Sequence, residues 1–346
     1  MAEKMTENIS ERLPEKLSEK FPKQVSEQVS EQISEQILEQ TTEESEESEK
    51  GSEKKAGKSS LKSKGLLPQR QENRFSMRLK TVGGRIDSQK LRAIADAAEK
   101  YGYGYVHITS RQQIEIPFVK DKNTAEATCE LEEQGIFEGS SGKRVRAIVA
   151  CQGNKICRFG LIDTQKLAKK IDEKYFGKIV PKKFKIAITG CPSSCVRPQE
   201  NDFGIMGTTK PEIIEENCVS CGRCEKTCKM GAIKVHEDKV LIDREKCVLC
   251  GLCIAACKKE ALRAEKTGCD VFVGGHGGRQ PKHGIRLFEL ADEEELFSVL
   301  EKSLEYYKRE GLDGERFGDL LDRLGIEKFR KEVLRRSYQK KLLEDG

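Results

Sequence analysis

The sequence lacks several features that would assign it to a common class of protein. It contains no run of about 20 apolar residues, so no transmembrane helix is predicted. The N-terminal residues lack the apolar core of a secretory signal, and this indicates a cytoplasmic protein. The net charge is only +5 over 346 residues, a basic excess too small to indicate nucleic acid binding.

Cysteine, by contrast, is abundant, with 14 residues in the chain. Twelve of the 14 fall into three groups with the short spacings of metal ligands, which favours reduced, metal-binding thiols over disulfides. The remaining two, Cys129 and Cys269, are expected to be small apolar residues of the interior. So many reduced thiols favour an anaerobic cell.

Two of the cysteine groups form an internal repeat. Residues 218–228 and 247–257 both follow the pattern C-x2-C-x2-C-x3-C, with Val and Gly at matching places. The pattern resembles bacterial ferredoxins with two 4Fe–4S clusters, in which the fourth cysteine of each run ligates the other cluster. The usual proline after that cysteine is replaced by Lys229 and Lys258, and structural zinc is the less favoured alternative. The resemblance implies two ligand sets, namely Cys218, Cys221, Cys224 and Cys257, and Cys247, Cys250, Cys253 and Cys228.

The third group consists of two cysteine pairs. Cys151 and Cys157 are separated by five residues, and Cys191 and Cys195 by three. Four thiolates in two close pairs can hold a cubic iron–sulfur cluster. The segment P-K-K-F-K stands just before the second pair. An electron-rich metal centre beside a group of lysines indicates reduction of a small anion.

The pattern C-x5-C…C-x3-C resembles the signature of siroheme-dependent sulfite and nitrite reductases. Matching segments extend over about residues 66–325 and include F-S-M-R-L-K-T-V-G-G, I-T-S-R-Q-Q-I-E-I-P, N-D-F-G-I-M-G and G-G-H-G-G-R-Q-P. The resemblance implies that Cys195 also ligates siroheme iron. It carries over Arg78, Arg111, Lys183 and Lys185 as catalytic and cofactor-binding residues, with Asn201 and Arg279 as further cofactor-binding candidates.

The chemistry of these side chains is consistent with that assignment. Siroheme carries carboxylates and sulfite is an anion; arginine binds oxyanions with a two-pronged fork, and lysine can neutralise charge or donate protons. An ordinary alternative remains, because most Lys and Arg residues lie on solvated faces. For Arg78, alternation along the strand puts Phe75, Met77 and Leu79 on the opposite face, so Arg78 could simply be exposed.

The predicted fold class is α+β, in four segments. Residues 1–65 are low-complexity sequence, expected to be disordered or weakly helical, with a partner-binding amphipathic helix as the alternative. A βαββα pattern predicts a ferredoxin-like α/β domain at 66–139, with Ser88 capping its first helix. The reductase domain is predicted at 140–210 and 266–346, and the ferredoxin insertion at 211–265. The predicted strands of the reductase domain are 145–150, 184–189, 271–275 and 284–290. Its predicted helices are 164–175 and 293–310, with further helix to about Leu342.

The expected function is reduction of sulfite to sulfide with siroheme and three 4Fe–4S clusters, one of them coupled to siroheme. An external donor such as ferredoxin would supply electrons through the insertion. A nitrite reductase forming ammonia at the same site is one alternative, and an electron-transfer subunit without a working siroheme is another. Larger relatives carry two copies of the α/β-plus-cluster unit, so a single copy predicts a homo- or hetero-oligomer.

Overall fold

The computed structural model of the chain describes residues 65–237 and 239–334, all within one compact unit. Helices and strands are mixed as the predicted α+β class requires. The prediction for residues 1–65 falls almost entirely outside the described residues, as does the C-terminal helix beyond 334. The domain boundaries stay predictions. Within the described ranges, no helix is both long and apolar enough to cross a bilayer.

The first sheet has four antiparallel strands in the order β1-β2-β4-β3. Its elements follow the predicted βαββα order after one added strand, and α1 and α2 share a core with the sheet that includes Ile94, Leu131 and Met77. The elements are β1 (Leu66–Pro68), β2 (Arg74–Leu79), α1 (Ser88–Tyr101), β3 (His107–Ile108), β4 (Ile114–Lys120) and α2 (Thr124–Glu133).

The cap of α1 is one residue earlier than predicted. Asp87, not Ser88, is the N-cap, and its side chain accepts a hydrogen bond from the backbone N–H of Lys90. Both residue types cap helices well, so the sequence alone does not separate two such neighbours.

The second sheet has five strands in the order β11-β10-β7-β6-β5. Strands β5, β6 and β7 run parallel, and β10 and β11 are antiparallel to their neighbours. Its largest core lies between these strands and helices α3 and α6–α8, and the predicted bounds of α3 and α6 agree with the structure. The elements are β5 (Val149–Ala150), α3 (Thr164–Tyr175), β6 (Ile186–Thr189), β7 (Phe203–Ile213), β10 (Leu262–Val273), β11 (Ile285–Ala291), α6 (Glu293–Glu310), α7 (Phe317–Leu324) and α8 (Ile326–Val333).

Two strands of this sheet differ from the predictions. The strand expected at 145–150 is regular only at Val149–Ala150, and Val145 contributes an isolated bridge to Phe184. Strand β10 begins nine residues before the predicted Val271. Residues 263–267 are exposed and mostly polar because this part of β10 lies outside the main core, so the buried run characteristic of a strand is missing there.

The insertion is an elaborated connection between β7 and β10. These two strands pair along their whole length, from Phe203 opposite Val273 to Ile213 opposite Leu262, so the insertion starts and ends at the same place. It contains α4 (Arg223–Thr227), the hairpin β8 (Ile233–His236) and β9 (Lys239–Ile242), and α5 (Leu252–Ala256).

Candidate functional site

Four cysteines meet at the carboxyl ends of β5 and β6. Cys151 directly follows β5, and Cys191 lies two residues beyond β6; since the strands are adjacent and parallel, both thiols come to the same edge. The pKa of Cys195 is raised first by partial burial and then by the charges of Cys151, Cys191 and Cys157. The four sulfurs therefore share one electrostatic neighbourhood, as the ligands of one cubic cluster would.

The backbone packs closely around Cys151. The N–H of Gly190 donates to its Sγ over 3.1 Å. A Cβ at Gly190 would be in ordinary van der Waals contact with that sulfur, at 3.5 Å, and would lie only 3.2 Å from the Cα of Gly153, which is tighter than such a contact. Hydrogen bonds to cluster sulfurs are one of the means by which proteins set the potential of an iron–sulfur cluster. The geometry therefore fits a thiolate that carries a cluster.

A set of cationic side chains, here the cation group, lies at the other end of β6. Burial and then the charges of other members lower the pKa values of Arg111, Arg146, Lys183 and Lys185, which shows that these side chains are close together. Strand β6 has four residues and spans roughly 10 Å, so about one strand length separates the cation group from the cysteines. The cation group consists of Arg78, Arg111, Arg146, Lys183, Lys185 and Arg316.

Arg111 is held by three hydrogen bonds. It donates to Oδ1 of Asn201 at 2.9 Å and to the carbonyl oxygens of Ala147 at 3.0 Å and Ile186 at 3.4 Å. Burial is the largest effect on its pKa, which falls to about 10. Its buried Nε has no hydrogen-bond partner among the described residues. A buried donor without a partner is costly, and a bound anion would supply the missing acceptor.

Lys183 and Lys185 have ammonium groups that make no hydrogen bond or ion pair with the described residues. Burial lowers the pKa of both, and nearby cations lower it further. For Lys185 the pKa falls to about 8, with Arg111, Lys183 and Arg316 contributing and Asp202 opposing. An ammonium with this pKa gives up its proton easily near neutral pH, which suits a proton donor.

Arg78 differs from its neighbours because it already has a carboxylate partner. Its Nε donates to Oε1 of Glu115 at 2.7 Å, and its second terminal nitrogen lies 2.6 Å from the same oxygen. The pair joins β2 to β4, where the two residues stand opposite each other. Arg78 is only partly exposed, so the alternative of a fully solvated side chain does not describe it.

The two further cofactor-binding candidates occupy different surroundings. Asn201 is buried, and both ends of its amide are used: Oδ1 accepts from Arg111 and Nδ2 donates to the carbonyl oxygen of Arg197. Arg279 is exposed in the loop between β10 and β11, and no hydrogen bond or ion pair joins it to the described residues. The structure thus brings Asn201, but not Arg279, into contact with the cation group.

Three residues of this site have no counterpart in the sequence predictions: Arg146, Arg316 and Asp202. Arg146 donates to the carbonyl oxygen of Gly142 at 3.0 Å and also bonds that of Ser140. Arg316 lies 114 positions after Asp202 and pairs with it. No local spacing connects residues so far apart, although Asp202 follows Asn201 directly in the matched segment N-D-F-G.

The insertion contains two cavities lined by cysteines. The first is lined by Cys218, Cys221, Cys224 and Cys257, and the second by Cys228, Cys247, Cys250 and Cys253. These are the sets that the repeat predicts, and metal ligation by them stays a prediction. In the part of the chain that is described, no three His, Cys, Asp or Glu side chains close on a single metal ion.

The two cysteine runs of the insertion have the same backbone geometry. Ser220 and Leu249, just before the second cysteine of each run, have φ values of 48° and 54°. Gly222 and Gly251, just after it, have φ values of 69° and 68°. Left-handed residues on both sides of a cysteine turn the chain back around the thiol. The repeat seen in the sequence is therefore also a structural repeat.

The second cavity adjoins the four-cysteine site. Thr209 of β7 donates its backbone N–H to the carbonyl oxygen of Leu249 at 2.8 Å and forms a bridge with Cys250. A Cβ at Gly251 would lie 3.4 Å from the side chain of Leu161. The N–H of Leu161 in turn donates to the carbonyl oxygen of Gly190 at 2.7 Å.

Known protein families match almost all of the described chain. The profile of the nitrite and sulphite reductase 4Fe-4S domain matches residues 141–342, and that of the ferredoxin-like half domain of these enzymes matches residues 67–134. The chain belongs to the siroheme-dependent nitrite and sulfite reductase family. Members of this family are oxidoreductases, and the predicted resemblance is confirmed.

Individual relatives include proteins named as sulfite reductases. The chain is 37% identical over 272 residues to a coenzyme F420-dependent sulfite reductase of Methanocaldococcus jannaschii, covering 78% of this chain but only 44% of that protein. It is 29% identical over 288 residues to one of the subunits of the anaerobic sulfite reductase of Salmonella typhimurium, covering 77% and 84%. The crystal structure of dissimilatory sulfite reductase I has a similar fold, with a TM-score of 0.63, 23% identity, and coverage of 75% of this chain and 69% of that one.

Proposed function

We propose that this chain reduces sulfite to sulfide, using siroheme and three 4Fe–4S clusters. The observation that carries the proposal is the pair of ammonium groups of Lys183 and Lys185, which have no partner among the described residues and lie about one strand length from four clustered thiols. Sulfite is favoured over nitrite because the relatives described above are named as sulfite reductases. Nitrite reduction to ammonia at the same site is the second candidate, since the matched profiles name both enzymes.

The residues of the site fit both groups that the family uses. Cys151, Cys157, Cys191 and Cys195 would hold the cluster, with Cys195 also a ligand of siroheme iron. When bound, siroheme would supply the iron at which the substrate is reduced. The cation group would neutralise the carboxylates of the macrocycle and the charge of the substrate, because arginine forks match carboxylate and oxyanion geometry.

Within the cation group the roles would divide by chemistry. Arg111, which is already fixed by three hydrogen bonds, would hold an oxyanion in one orientation. Lys183 and Lys185 would donate the protons that oxygen atoms need in order to leave as water. Arg78 would bind an anion only by sharing its guanidinium with Glu115, so its role is closer to orientation than to proton transfer.

Electrons would enter at the cavity that includes Cys257 and leave from the cavity that includes Cys250. The bridge of Thr209 to Cys250 and the approach of Gly251 to Leu161 support this order. The external donor, such as ferredoxin, would therefore dock near the first cavity. The single copy of the reductase unit suggests a homo- or hetero-oligomer, which light scattering of the purified protein would measure.

An anaerobic purification tests the function as a whole. We expect siroheme absorption, iron and sulfide for three clusters, and dye-driven turnover of sulfite exceeding that of nitrite. Lys183→Met should abolish most turnover and leave the iron content unchanged. A protein with all its clusters but no siroheme absorption would instead be an electron-transfer subunit, and faster turnover of nitrite would favour the second candidate.

A further inference from the structure

The buried ion pair of Asp202 and Arg316 contacts the backbone of the cation group at Lys185. Asp202 is fully buried, and Arg316 is 7% exposed. The Arg316 guanidinium donates to both carboxylate oxygens of Asp202, at 2.9 and 2.8 Å. The second of these oxygens also accepts the backbone N–H of Lys185 at 2.9 Å. We propose that Asp202, held by Arg316, is a positioning residue that sets the charge and the place of Lys185 in the anion site.

The position of Asp202 in the fold makes this role specific. It is the last residue before β7, and its neighbour Asn201 holds Arg111. Two consecutive residues therefore fix two cations that come from different elements, one from the loop before β4 and one from the segment before β6. The backbone here is closely packed, because a Cβ at Gly204 would come within 2.3 Å of the carbonyl oxygen of Pro198. Asp202 cannot easily move away from its two partners.

The charges around Lys185 act in opposite directions. Beyond burial, its pKa is lowered by Arg111, Lys183 and Arg316 and is raised by Asp202. Burial raises the pKa of Asp202 itself, while Arg316 and the N–H of Lys185 lower it. The paired carboxylate is thus the counter-charge that keeps an ammonium in a strongly cationic pocket. Arg316 binds the same carboxylate from the other side, and its own charge lowers the pKa of Lys185.

An alternative is that the pair only holds α7 against β7. Buried ion pairs often have such a role, and breaking one is costly whatever its function. The two roles predict different results. If the pair only holds the fold, removing either partner should loosen the packing in the same way. If Asp202 positions Lys185, the two removals should have opposite effects on the pKa of Lys185. Removing the carboxylate should lower the pKa of Lys185, whereas removing the guanidinium should raise it.

The test is the reactivity of the Lys185 amine toward an isotope-coded acetylating reagent, read by mass spectrometry across pH. The measurement uses the full chain and does not require enzymatic turnover. Only the identity of the anion that Lys185 binds rests on the proposed function. With Asp202→Asn we expect labelling at about pH 7.5 to rise by about twofold, because a pKa of about 8 would fall by roughly half a unit. With Arg316→Gln it should fall by a similar factor, and the double variant should return toward the wild type.

The matched control is Asp270→Asn. Asp270 is a second buried carboxylate, in β10, which accepts from Thr208 at 2.8 Å and from the N–H of Leu290 at 3.1 Å. Its loss should destabilise the fold without changing Lys185 labelling. Equal shifts in the same direction from Asp202→Asn and Arg316→Gln, or no shift, would overturn the proposal. Should Asp202→Asn fail to fold, Arg316→Gln and the double variant still decide. Absence of sulfite turnover would count against the proposed function and leave this result standing.

Discussion

Thr209 donates its backbone N–H to the carbonyl oxygen of Leu249, and this bond joins the reductase sheet to the insertion. The two residues are 2.8 Å apart at these atoms, and Thr209 also bridges to Cys250. The second cavity is therefore joined to the middle of β7 by a backbone hydrogen bond, whereas the first cavity is lined by Ile213 at the end of β7. We expect the rate of electron transfer into the site to depend on this junction.

A glycine substitution tests the junction. A Cβ at Gly251 would come within 2.6 Å of the Thr209 side chain, so Gly251→Ala should push the two apart. We expect a loss of about 1–3 kcal/mol in the free energy of unfolding from the clash and slower ferredoxin-driven turnover. Calorimetry and steady-state kinetics measure the two effects.

Gly222→Ala is the matched control for that variant. Gly222 occupies the same place in the other cysteine run with nearly the same φ, but a Cβ there would have no described atom within 4 Å. Both variants share the cost of a left-handed alanine, about 1 kcal/mol. If the two variants slow turnover equally, the contact with Thr209 is irrelevant to electron transfer.

The exchange of the fourth cysteine between the two runs is tested by counting iron. Cys257→Ser and Cys228→Ser should each remove one of three clusters, roughly a third of the iron. Because Cys221 and Cys257 line the same cavity, the double variant Cys221→Ser/Cys257→Ser should lose no more than either single variant. Cys221→Ser/Cys228→Ser should lose two clusters. The opposite pattern would mean that each run ligates its own cluster; Cys269→Ser, at a buried residue away from both cavities, is the control.

The sequence predicted best where the pattern is local. Helices α3 and α6 have the predicted bounds because an apolar stripe and an acidic cap fall within each segment. The pairing of Arg316 with Asp202 could not be predicted in this way, since the two residues are 114 positions apart and the matched segment N-D-F-G that contains Asp202 does not indicate its partner. The polar half of β10 was not predicted to be a strand for a related reason, because only its pairing with β7 makes it one. Cys129 was expected to be buried and is exposed on α2, so that prediction is wrong.

Arg111 should be intolerant even of lysine. A single ammonium cannot reproduce three hydrogen bonds to Asn201, Ala147 and Ile186 together with a fork for an anion. We expect Arg111→Lys to raise the KM for sulfite by about tenfold, from the loss of a charge-assisted hydrogen bond of about 1.5 kcal/mol. Arg74→Lys is the control, because Arg74 contacts Phe118 and Tyr103 away from the site and should change KM by less than about twofold. Equal effects of the two changes would remove Arg111 from the anion site.

The alkaline side of the pH profile should report Lys185. Its pKa is lowered to about 8, so the ammonium is present below that pH and is lost above it. We expect kcat/KM for sulfite to fall as the pH rises through about 8. Lys185→Arg should move this fall to higher pH even if its rate is lower, since a guanidinium stays charged. Lys210→Arg, at a surface residue paired with Glu265, should leave the profile unchanged. A fall that stays at the same pH in Lys185→Arg would assign it to another group.

Lys80 should matter to stability and not to the anion site. It pairs with the buried Asp172 at 2.7 Å and lies 4.1 Å from the centre of the Phe176 ring, so it joins the segment after β2 to α3. Burial raises the pKa of Asp172 and Lys80 opposes this, so Lys80→Met should raise that pKa further. We expect a loss of about 2 kcal/mol in the free energy of unfolding near neutral pH.

That loss should shrink as the pH falls. A carboxyl whose folded pKa is above its unfolded value destabilises the fold when ionised, and the penalty disappears on protonation. Denaturant unfolding at about pH 7.5 and about pH 5.5 would show the difference between Lys80→Met and the wild type narrowing at the lower pH. Lys174→Met removes an exposed pair with Glu301 and should change the free energy of unfolding little at either pH. A cost for Lys80→Met that is independent of pH would mean that packing on Phe176, and not the charge of Asp172, is the reason for this lysine.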